Sequence, residues 1–469
     1  MAFQPSFSLS EVLAVAKIHP FYNHEVEYPP GADVVKATRQ HLLGRDEDAN
    51  LLTQPLLWKR DLYSVIGRLI ADPSPLNTFR QSVYTSTTGG GSNSKPLFFA
   101  TDVHENRNHR AAFGRFLRTI GLIEQNDWVL TTHSSGELYR SLDLTLEILE
   151  NAGASVLAAG HHMSHAAVVK LLIQYHINVL SADSSQVVSM VHYISTLTAS
   201  ERDQVRINKI IYTSEGLSPS QRAHIRGILG SEVKICSLLG SAEGGPYAAS
   251  SPSLIEAQST DTVSYQDFVV DNRITKIEIL PSTVSEDDVD QTPQPLKNGE
   301  QGVIAQTSFT RLRNPVVRYI TGDVGSLHEL PEKARAIIPE SDWKHMYILR
   351  LQGRDRRFSF EWNGCYFEFR NLDTLMNDAQ FEILQWQVIL DKVELSKNRL
   401  LEMRVLAPQQ ETNSGLDRRE LIENRIRGFF QVDSTHGDAF RLAFVDSIHE
   451  FDLSTGGRKV VKFIDRFSS

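Results

Sequence analysis

The chain has 469 residues, 41% hydrophobic and 22% charged, with a formal net charge of −9, which excludes a disordered or fibrous protein and predicts two or three domains. The acidic balance speaks against broad nonspecific nucleic-acid binding, and Cys236 and Cys365, far apart in sequence, support neither a disulfide framework nor a cysteine zinc site. With no basic-then-apolar leader at the start and no apolar run near the ~20 residues of a bilayer span, the expectation is a cytoplasmic protein in a reducing compartment.

Residues 1 to about 80 read as a packed N-terminal cap, with helices at Ser8–Lys17 and near Trp58–Ile70 and a proline-broken stretch, "VEYPPGADVV", between them. "YTSTTGGGSNSKP" follows at 84–96, where Gly89, Gly90 and Gly91 let the backbone take unusual dihedrals or admit a close approach. Backbone N–H groups there, the hydroxyls of Thr85, Ser86, Thr87, Thr88 and Ser92, and the charge of Lys95 suit phosphate oxygens. A solvated turn has the same composition. No G-x-x-x-x-G-K-[ST] is present and "KPLFFAT" reads as a strand, so this is not a Walker loop.

From residue 127 short apolar strands alternate with amphipathic helices: "DWVLTTH", "LYRSLDLTLEILENAG", "ASVLAAG", "SHAAVVKLLIQYH", "INVLSAD", "SSQVVSMVHYISTL", "INKIIYTS", "SPSQRAHIRGILG" and "EVKICSLLGS". That alternation predicts βαβ units around a parallel sheet. Ligands of such sheets sit beyond the strands' carboxyl ends, which places His133, Asp183, Ser214, Glu215, Gly240 and Glu243 on loops along one rim. After about 262 strands dominate ("SYQDFVVD", "ITKIEILP", "QGVIAQTS"), with the acidic segment "STVSEDDVDQTPQPLKNGEQG" as a surface loop. The last hundred or so residues predict strand, strand, helix, strand, a small α+β domain. The boundary lies at "LQGRDRRF", giving an α/β N-terminal domain over 1–353, with a parallel βαβ sheet and a β-rich subdomain, and a C-terminal domain over 354–469.

Four segments stand in a telling order: the glycine-rich loop, "LLGSAEGGPYA" at 238–248, "PVVRYITGDVG" at 315–325 and "LQGRDRRFSFEWNG" at 351–364. They resemble the ordered motifs of adenylate-forming enzymes, most nearly the phenylacetate–coenzyme A ligase branch, over roughly residues 55 to 469. The resemblance implies an enzyme in which a carboxylate attacks the α-phosphorus of ATP, giving an acyl-adenylate and pyrophosphate, and coenzyme A then displaces AMP. It implies that Ser86, Thr87, Thr88, Gly89, Gly90, Gly91, Ser92 and Lys95 face the phosphates. Ser214, Glu215, Gly240, Ser241 and Ala242 line the adenine site, Asp323 accepts from the ribose hydroxyls, and Arg354 reaches ribose or phosphates. Glu243 helps hold Mg²⁺, a hard ion suited to oxygen ligands. The closing "STGGRKVVKFIDR" puts Lys459 in the place of the family's mobile-domain lysine, with Arg458 and Lys462 as near alternatives; the small domain swings about Asp355 or its neighbours. His133, Tyr139, His161, His162, Asp183 and Gly244 fall in the acyl pocket, a polar set that suits a small polar or amino-bearing acid.

Each residue has a plainer reading taken alone. Glu243 is then a helix-start or surface acid, Asp323 part of a Gly-Asp turn, Arg354 one charge of a solvated run. His161 and His165 in "HHMSH" have i, i+4 spacing, but no third ligand follows. The loop departs from the family's usual Thr-Thr-Gly-Lys-Pro ending, since Ser94 stands where a glycine is expected. No motif fixes the acceptor, so an amine acceptor giving an amide stands beside coenzyme A, and the Ser94 loop leaves a nucleotide-binding protein with impaired turnover as a further reading. The expected partner is a small carboxylic acid, with neither nucleic acid nor membrane; the oligomeric state, a homodimer included, stays open.

Overall fold

The computed structural model describes residues 7–87 except 43–48, 98–255 except 137, 215 and 218, then 265–285, 292–354, 359–378, 381, 383–392, 399–407, 418–433, 436–447, 450–452 and 460–466. The chain divides into two compact units, the break falling between Gly353 and Arg354.

The larger unit opens with α1 (Leu9–Ala16), α2 (Ala32–Leu42) and α3 (Lys59–Ala71). At the start of α1 a capping box satisfies two orphan donors: Glu11 N–H donates to Ser8 Oγ and Ser8 N–H to the Glu11 carboxylate. The helix α2 begins inside the segment read as proline-broken; none of its residues is buried, so it carries no apolar stripe to betray it. Next come the antiparallel pair β1 (Val83–Thr87) and β2 (Phe98–Asp102), then α4 (Val103–Thr119), started by Asp102 Oδ1 accepting from His104 and Glu105 N–H.

The predicted alternation follows as β3 (Trp128–Thr131), α5 (Ser141–Ala152), β4 (Ser155–Ala158), α6 (His165–Gln174), β5 (Val179–Asp183), α7 (Ser184–Ser195), a short α8 (Ala199–Arg202), β6 (Lys209–Thr213), α9 (Pro219–Leu229) and β7 (Lys234–Ser241). Then come β8 (Gly245–Ser250), β9 (Gln266–Asp271), β10 (Thr275–Leu280), β11 (Gly302–Ser308), β12 (Tyr319–His328), the short α10 (Glu332–Arg335) and α11 (Glu340–Trp343), and β13 (Met346–Arg354). One eleven-stranded sheet takes them in the order β10-β11-β12-β13-β9-β8-β7-β6-β5-β3-β4. From β7 to β4 neighbouring strands run parallel; β7–β8, β8–β9, β9–β13, β12–β11 and β11–β10 are antiparallel. Helices cover both faces of the parallel half. Phe113, Phe116, Leu117, Ile148 and Leu149 of α4 and α5 pack with Val129 and Val179 on one face, while Leu130, Leu180 and Ala182 meet Val168, Leu172, Val187 and Val191 on the other. The central strands β5 and β6, buried on both faces, read as near-continuous apolar runs, whereas the edge strand β4 has no buried residue and is marked instead by the helix-ending Gly153 before it.

The smaller unit holds the hairpin β14 (Ser359–Trp362) and β15 (Cys365–Glu368), α12 (Phe369–Met376), β16 (Gln385–Lys392), β17 (Arg399–Leu406), α13 (Arg418–Phe429), β18 (Phe440–Phe444) and β19 (Phe463–Asp465). Its four-stranded sheet has the order β18-β17-β16-β19. Trp362, Phe367, Phe429, Phe430 and Phe440 anchor a core of its own. No helix among the described residues is long and apolar enough to cross a membrane.

Candidate active site

The segment Gly240–Pro246 folds as the tip of the β7–β8 hairpin, where Gly240 pairs with Pro246 and Ser241 with Gly245. Gly240 lies in strand β7 rather than in a rim loop; a Cβ there would sit 2.6 Å from Pro246 Cα, so only glycine lets the strands approach so closely. Ser241 Oγ accepts the Gly244 N–H at 2.9 Å and closes the turn around Ala242 and Glu243. Gly244 lies flush against the Gln306 amide of β11.

Glu243 is buried, at 5% exposure. Its Oε1 accepts the hydroxyls of Tyr63 at 2.5 Å and Tyr319 at 3.2 Å, and its backbone carbonyl accepts from Arg311 Nη1. Oε2 makes no hydrogen bond to a described residue, so one oxygen is anchored while the other keeps its lone pairs. Burial pushes the Arg311 guanidinium down to about 10 against the pull of Glu105 and Glu243, which leaves it charged at neutral pH. Behind it, His109 donates through Nε2 to the Pro246 carbonyl at 2.9 Å, so its Nδ1 accepts from the Thr310 hydroxyl at 2.6 Å. Burial pushes His109 down to about 3, so the ring stays neutral.

Asp323 lies within β12, on an irregularity in the sheet rather than in a turn. Val303 pairs with Val324 and Ala305 with Ile320, so Ile304 alone faces Thr321, Gly322 and Asp323. Gly322 adopts φ 78°, which glycine accepts freely. Thr321 Oγ1 donates to the Ile304 carbonyl at 3.2 Å and accepts the Asp323 N–H at 3.1 Å, fixing the bulge. Bulges re-aim side chains beside functional sites, and this one sets the direction of Asp323. Arg318, fully buried at φ 48°, holds the approach to the bulge: Nε reaches Glu278 Oε2 at 3.3 Å, Nη1 the Gln54 carbonyl at 3.2 Å and Nη2 the Pro293 carbonyl at 2.9 Å. Tyr319 is the next residue, and its hydroxyl on Glu243 joins the two motifs at one place.

Along the parallel half, Ser214 follows β6, exposed and at φ 77°. A serine in the left-handed region carries a local cost of the kind that clusters at ligand sites. His133 follows β3, is 1% exposed and leaves Nε2 without a hydrogen bond; burial pushes it down to about 4, partly offset by the Asp183 charge. The Asp183 carboxylate caps α7, accepting from Gln186 N–H at 2.9 Å and Ser185 Oγ at 2.7 Å. Tyr139 sits in a tight Gly136–Tyr139 turn, and burial raises its hydroxyl pKa. His161 and His162 follow β4 with ring centroids 3.7 Å apart. Among the described residues no group of three His, Cys, Asp or Glu side chains forms a metal cage.

Of the remaining predicted residues, Ser86 and Thr87 contribute backbone to β1, and Arg354 to the end of β13. Thr88, Gly89, Gly90, Gly91, Ser92, Lys95, Glu215 and Lys459 lie outside the described residues. Tyr84, at the entry to the glycine-rich segment, is held by two guanidinium groups over its ring, Arg110 at 4.5 Å and Arg140 at 4.1 Å. Lys462 is engaged: its Nζ bonds Gln385 Oε1 and lies 4.3 Å from the Trp386 ring centroid, and burial lowers its pKa. Tyr63, Arg311, His109 and Gln306 were not foreseen; no spacing links them to the motifs they support.

No family model matches the chain, and neither does any curated protein sequence. Solved structures do. One is 2-hydroxyisobutyryl-CoA ligase in complex with 2-HIB-AMP and CoA in the thioesterification state, with a TM-score of 0.60 at 15% identity over 98% of this chain and 88% of that one. An open conformation of the same ligase with the same ligands gives a TM-score of 0.52 at 15% identity over 97% and 89%. The amide bond synthetase McbA from Marinactinospora thermotolerans gives 0.51 at 13% identity over 81% of this chain and 68% of that one. The chain has the fold of the adenylate-forming enzymes.

Proposed function

We propose that this protein is an adenylate-forming ligase of the cytoplasm that uses ATP to activate a small carboxylic acid and passes the acyl group to coenzyme A. The observation that carries the reading is the Tyr319–Glu243 hydrogen bond, 3.2 Å long. It brings the motif at 240–246 to the motif at 318–323, as a site that grips both ends of one nucleotide requires. In the first step a carboxylate oxygen of the acid bonds to the α-phosphorus of ATP, the bond to the bridging oxygen breaks, and pyrophosphate leaves. The reaction needs little covalent help and much charge stabilisation and alignment. Asp323, aimed by its bulge, accepts from the ribose hydroxyls; Ser214 and the backbone of Gly240–Ala242 flank the base. Residues 84–96 meet the phosphates, Arg354 the ribose or phosphates, and Lys459 supplies the cation for the attacking carboxylate. Residues 1–353 form the binding domain, and 354–469 serve as the mobile one.

The donor set at Glu243 fits Mg²⁺. A single buried carboxylate with one oxygen unengaged by any described residue, and no cage of three ligands among the described residues, suits an ion held chiefly by phosphates and water. Bound there with the triphosphate, Mg²⁺ would neutralise phosphate charge. Glu243 would hold it through Oε2, while Arg311 and the two tyrosines fix the hairpin tip.

Pyrophosphate release with a panel of small acids tests the proposal. Release with at least one acid, and an acyl-AMP of matching mass, is the expected result; ATP binding without release from any acid identifies a nucleotide binder instead. The fold shared with an amide bond synthetase makes the amine acceptor the second reading, and mass spectra of products formed with coenzyme A or with amines separate the two. Lys459→Ala is expected to slow adenylation by at least about 100-fold while leaving ATP binding within a few-fold, as for an interaction made in the transition state.

A further inference from the structure

We infer that Tyr63, on helix α3 of the N-terminal segment, is a positioning residue for Glu243, orienting the carboxylate so that Oε2 faces the metal–triphosphate; this rests on the ligase reading above. Tyr63 is separated from Glu243 by 180 residues, yet its hydroxyl makes the shortest hydrogen bond to that carboxylate, 2.5 Å against 3.2 Å from Tyr319. Both fall on Oε1. Two phenolic donors on the same oxygen fix the rotation of the carboxylate and leave Oε2 as the oxygen available for a hard cation.

Packing does not require this arrangement of Tyr63. The stripe of α3 that enters the core is Leu62, Ile66 and Leu69, and Tyr63 stands on its flank, half-buried, where water could satisfy a hydroxyl. Glu243, at 5% exposure, is the partner with few other donors. The helix is also held in register with the site. Leu57, two residues before α3, donates its N–H to the Arg318 carbonyl at 3.1 Å and accepts from Ile320 N–H at 3.0 Å, clipping the segment beside Tyr319. At the far end Asn77 Nδ2 donates to the carbonyls of Leu69 at 2.6 Å and Asp72 at 2.9 Å. The same junction thus delivers Tyr63 and Tyr319 to one carboxylate oxygen.

The test is Tyr63→Phe, which keeps the ring and removes the donor, compared with Tyr28→Phe, which removes a hydroxyl bonded to Asp72 at 2.6 Å in the same segment. Mn²⁺ affinity in the presence of a non-hydrolysable ATP analogue is read by electron paramagnetic resonance, which needs no turnover. Tyr63→Phe is expected to weaken Mn²⁺ about 10-fold, the low end for loss of an outer-shell partner, with Tyr28→Phe and the melting temperature close to wild type. In pyrophosphate exchange the apparent KM for Mg²⁺ should rise by a similar factor, with kcat at saturating Mg²⁺ within about threefold. Wild-type Mn²⁺ affinity in Tyr63→Phe, where Glu243→Gln has lost it, overturns the inference alone. Wild-type affinity in Glu243→Gln overturns the metal reading beneath it.

Discussion

Replacing Arg318 with methionine tests how the approach to the Asp323 bulge is held. The guanidinium is fully buried, with Glu278 Oε2 at 3.3 Å and the carbonyls of Gln54 and Pro293 at 3.2 and 2.9 Å. A further approach to Glu278 Oε1, also 3.3 Å, is an ion-pair distance outside hydrogen-bond geometry, so that oxygen is an orphan even in the wild type. Methionine fills much of the volume but leaves Glu278, 3% exposed, as an unpaired buried carboxylate. Removing one partner of a buried pair costs about 3–5 kcal/mol, and the carbonyls that lose a charged donor push the value to the upper end, about 5 kcal/mol. Removing both charges by adding Glu278→Met should return about 2–3 kcal/mol of that loss, since an apolar pair carries no desolvation penalty. Burial already raises the Glu278 pKa, against the pull of Arg318. Without Arg318 it rises further, so the variant is least stable at alkaline pH and regains stability as the pH falls and the carboxyl takes up a proton. Urea unfolding of the two single variants and the double variant, followed by circular dichroism, supplies the cycle. A coupling energy within about 0.5 kcal/mol of zero would show that the Arg318–Glu278 pair does not hold the approach to the bulge.

Burial pushes the Glu105 carboxyl up to about 7 although it accepts the N–H groups of Leu312 and Arg313 at 3.0 and 3.1 Å. The folded protein therefore keeps a proton that the unfolded chain has lost; this contribution declines as pH rises from about 4.5 to about 7 and then levels, and Glu105→Gln should flatten that part of the stability–pH curve. Gly245→Ala puts a Cβ 2.7 Å from His109 Nε2 at a backbone φ of 74°; a loss of about 1–3 kcal/mol is expected from the backbone alone, read as a lower melting temperature. Asp323→Asn should weaken ATP binding at least about 10-fold, the scale of one charge-assisted hydrogen bond, measurable by calorimetry.

The sequence conveys those parts of the protein whose burial has a simple period. The strands and helices from Trp128 to Ser241 emerged where expected because apolar runs flanked by Ser, Asp and Gly caps report their own environment. Helix α4 went unread for the opposite reason. Its buried residues include Asn106, His109 and Arg110, whose polar atoms depend on tertiary partners: Arg110 Nη1 on Asp143 at 3.0 Å and Glu147 at 2.7 Å, His109 on Thr310 and Pro246. Such a face looks exposed until the partners are known. At the candidate site, the motifs around Glu243 and Asp323 stand out in the sequence because each has a local backbone purpose, a hairpin tip and a bulge. Tyr63 gave no signal, since what makes it matter is a helix placed by a clip at Leu57, across a distance no local pattern spans.

That clip dictates when the site can come into existence. His19 meets Asn314, and Tyr22 meets the carbonyls of Pro315 and Val317, across sequence separations of 295 and 293 residues. Leu57, Leu62, Ile66 and Leu69 share a core with Val316 and Tyr319. A ribosome releases the N-terminal segment first, and its apolar stripe meets Phe79, Phe99 and Ala100 early, whereas Val316 and Tyr319, which complete the same core, emerge far later. Closing so large a loop is entropically costly, so the clip at Leu57 is expected to form late in the folding of the larger unit, which hydrogen-exchange labelling during refolding would read as late protection of the Leu57 and Ile320 amides. A chain that has not yet closed the clip would hold Glu243 without Tyr63 and leave the side of that core formed by Val316 and Tyr319 uncovered, a surface open to aggregation.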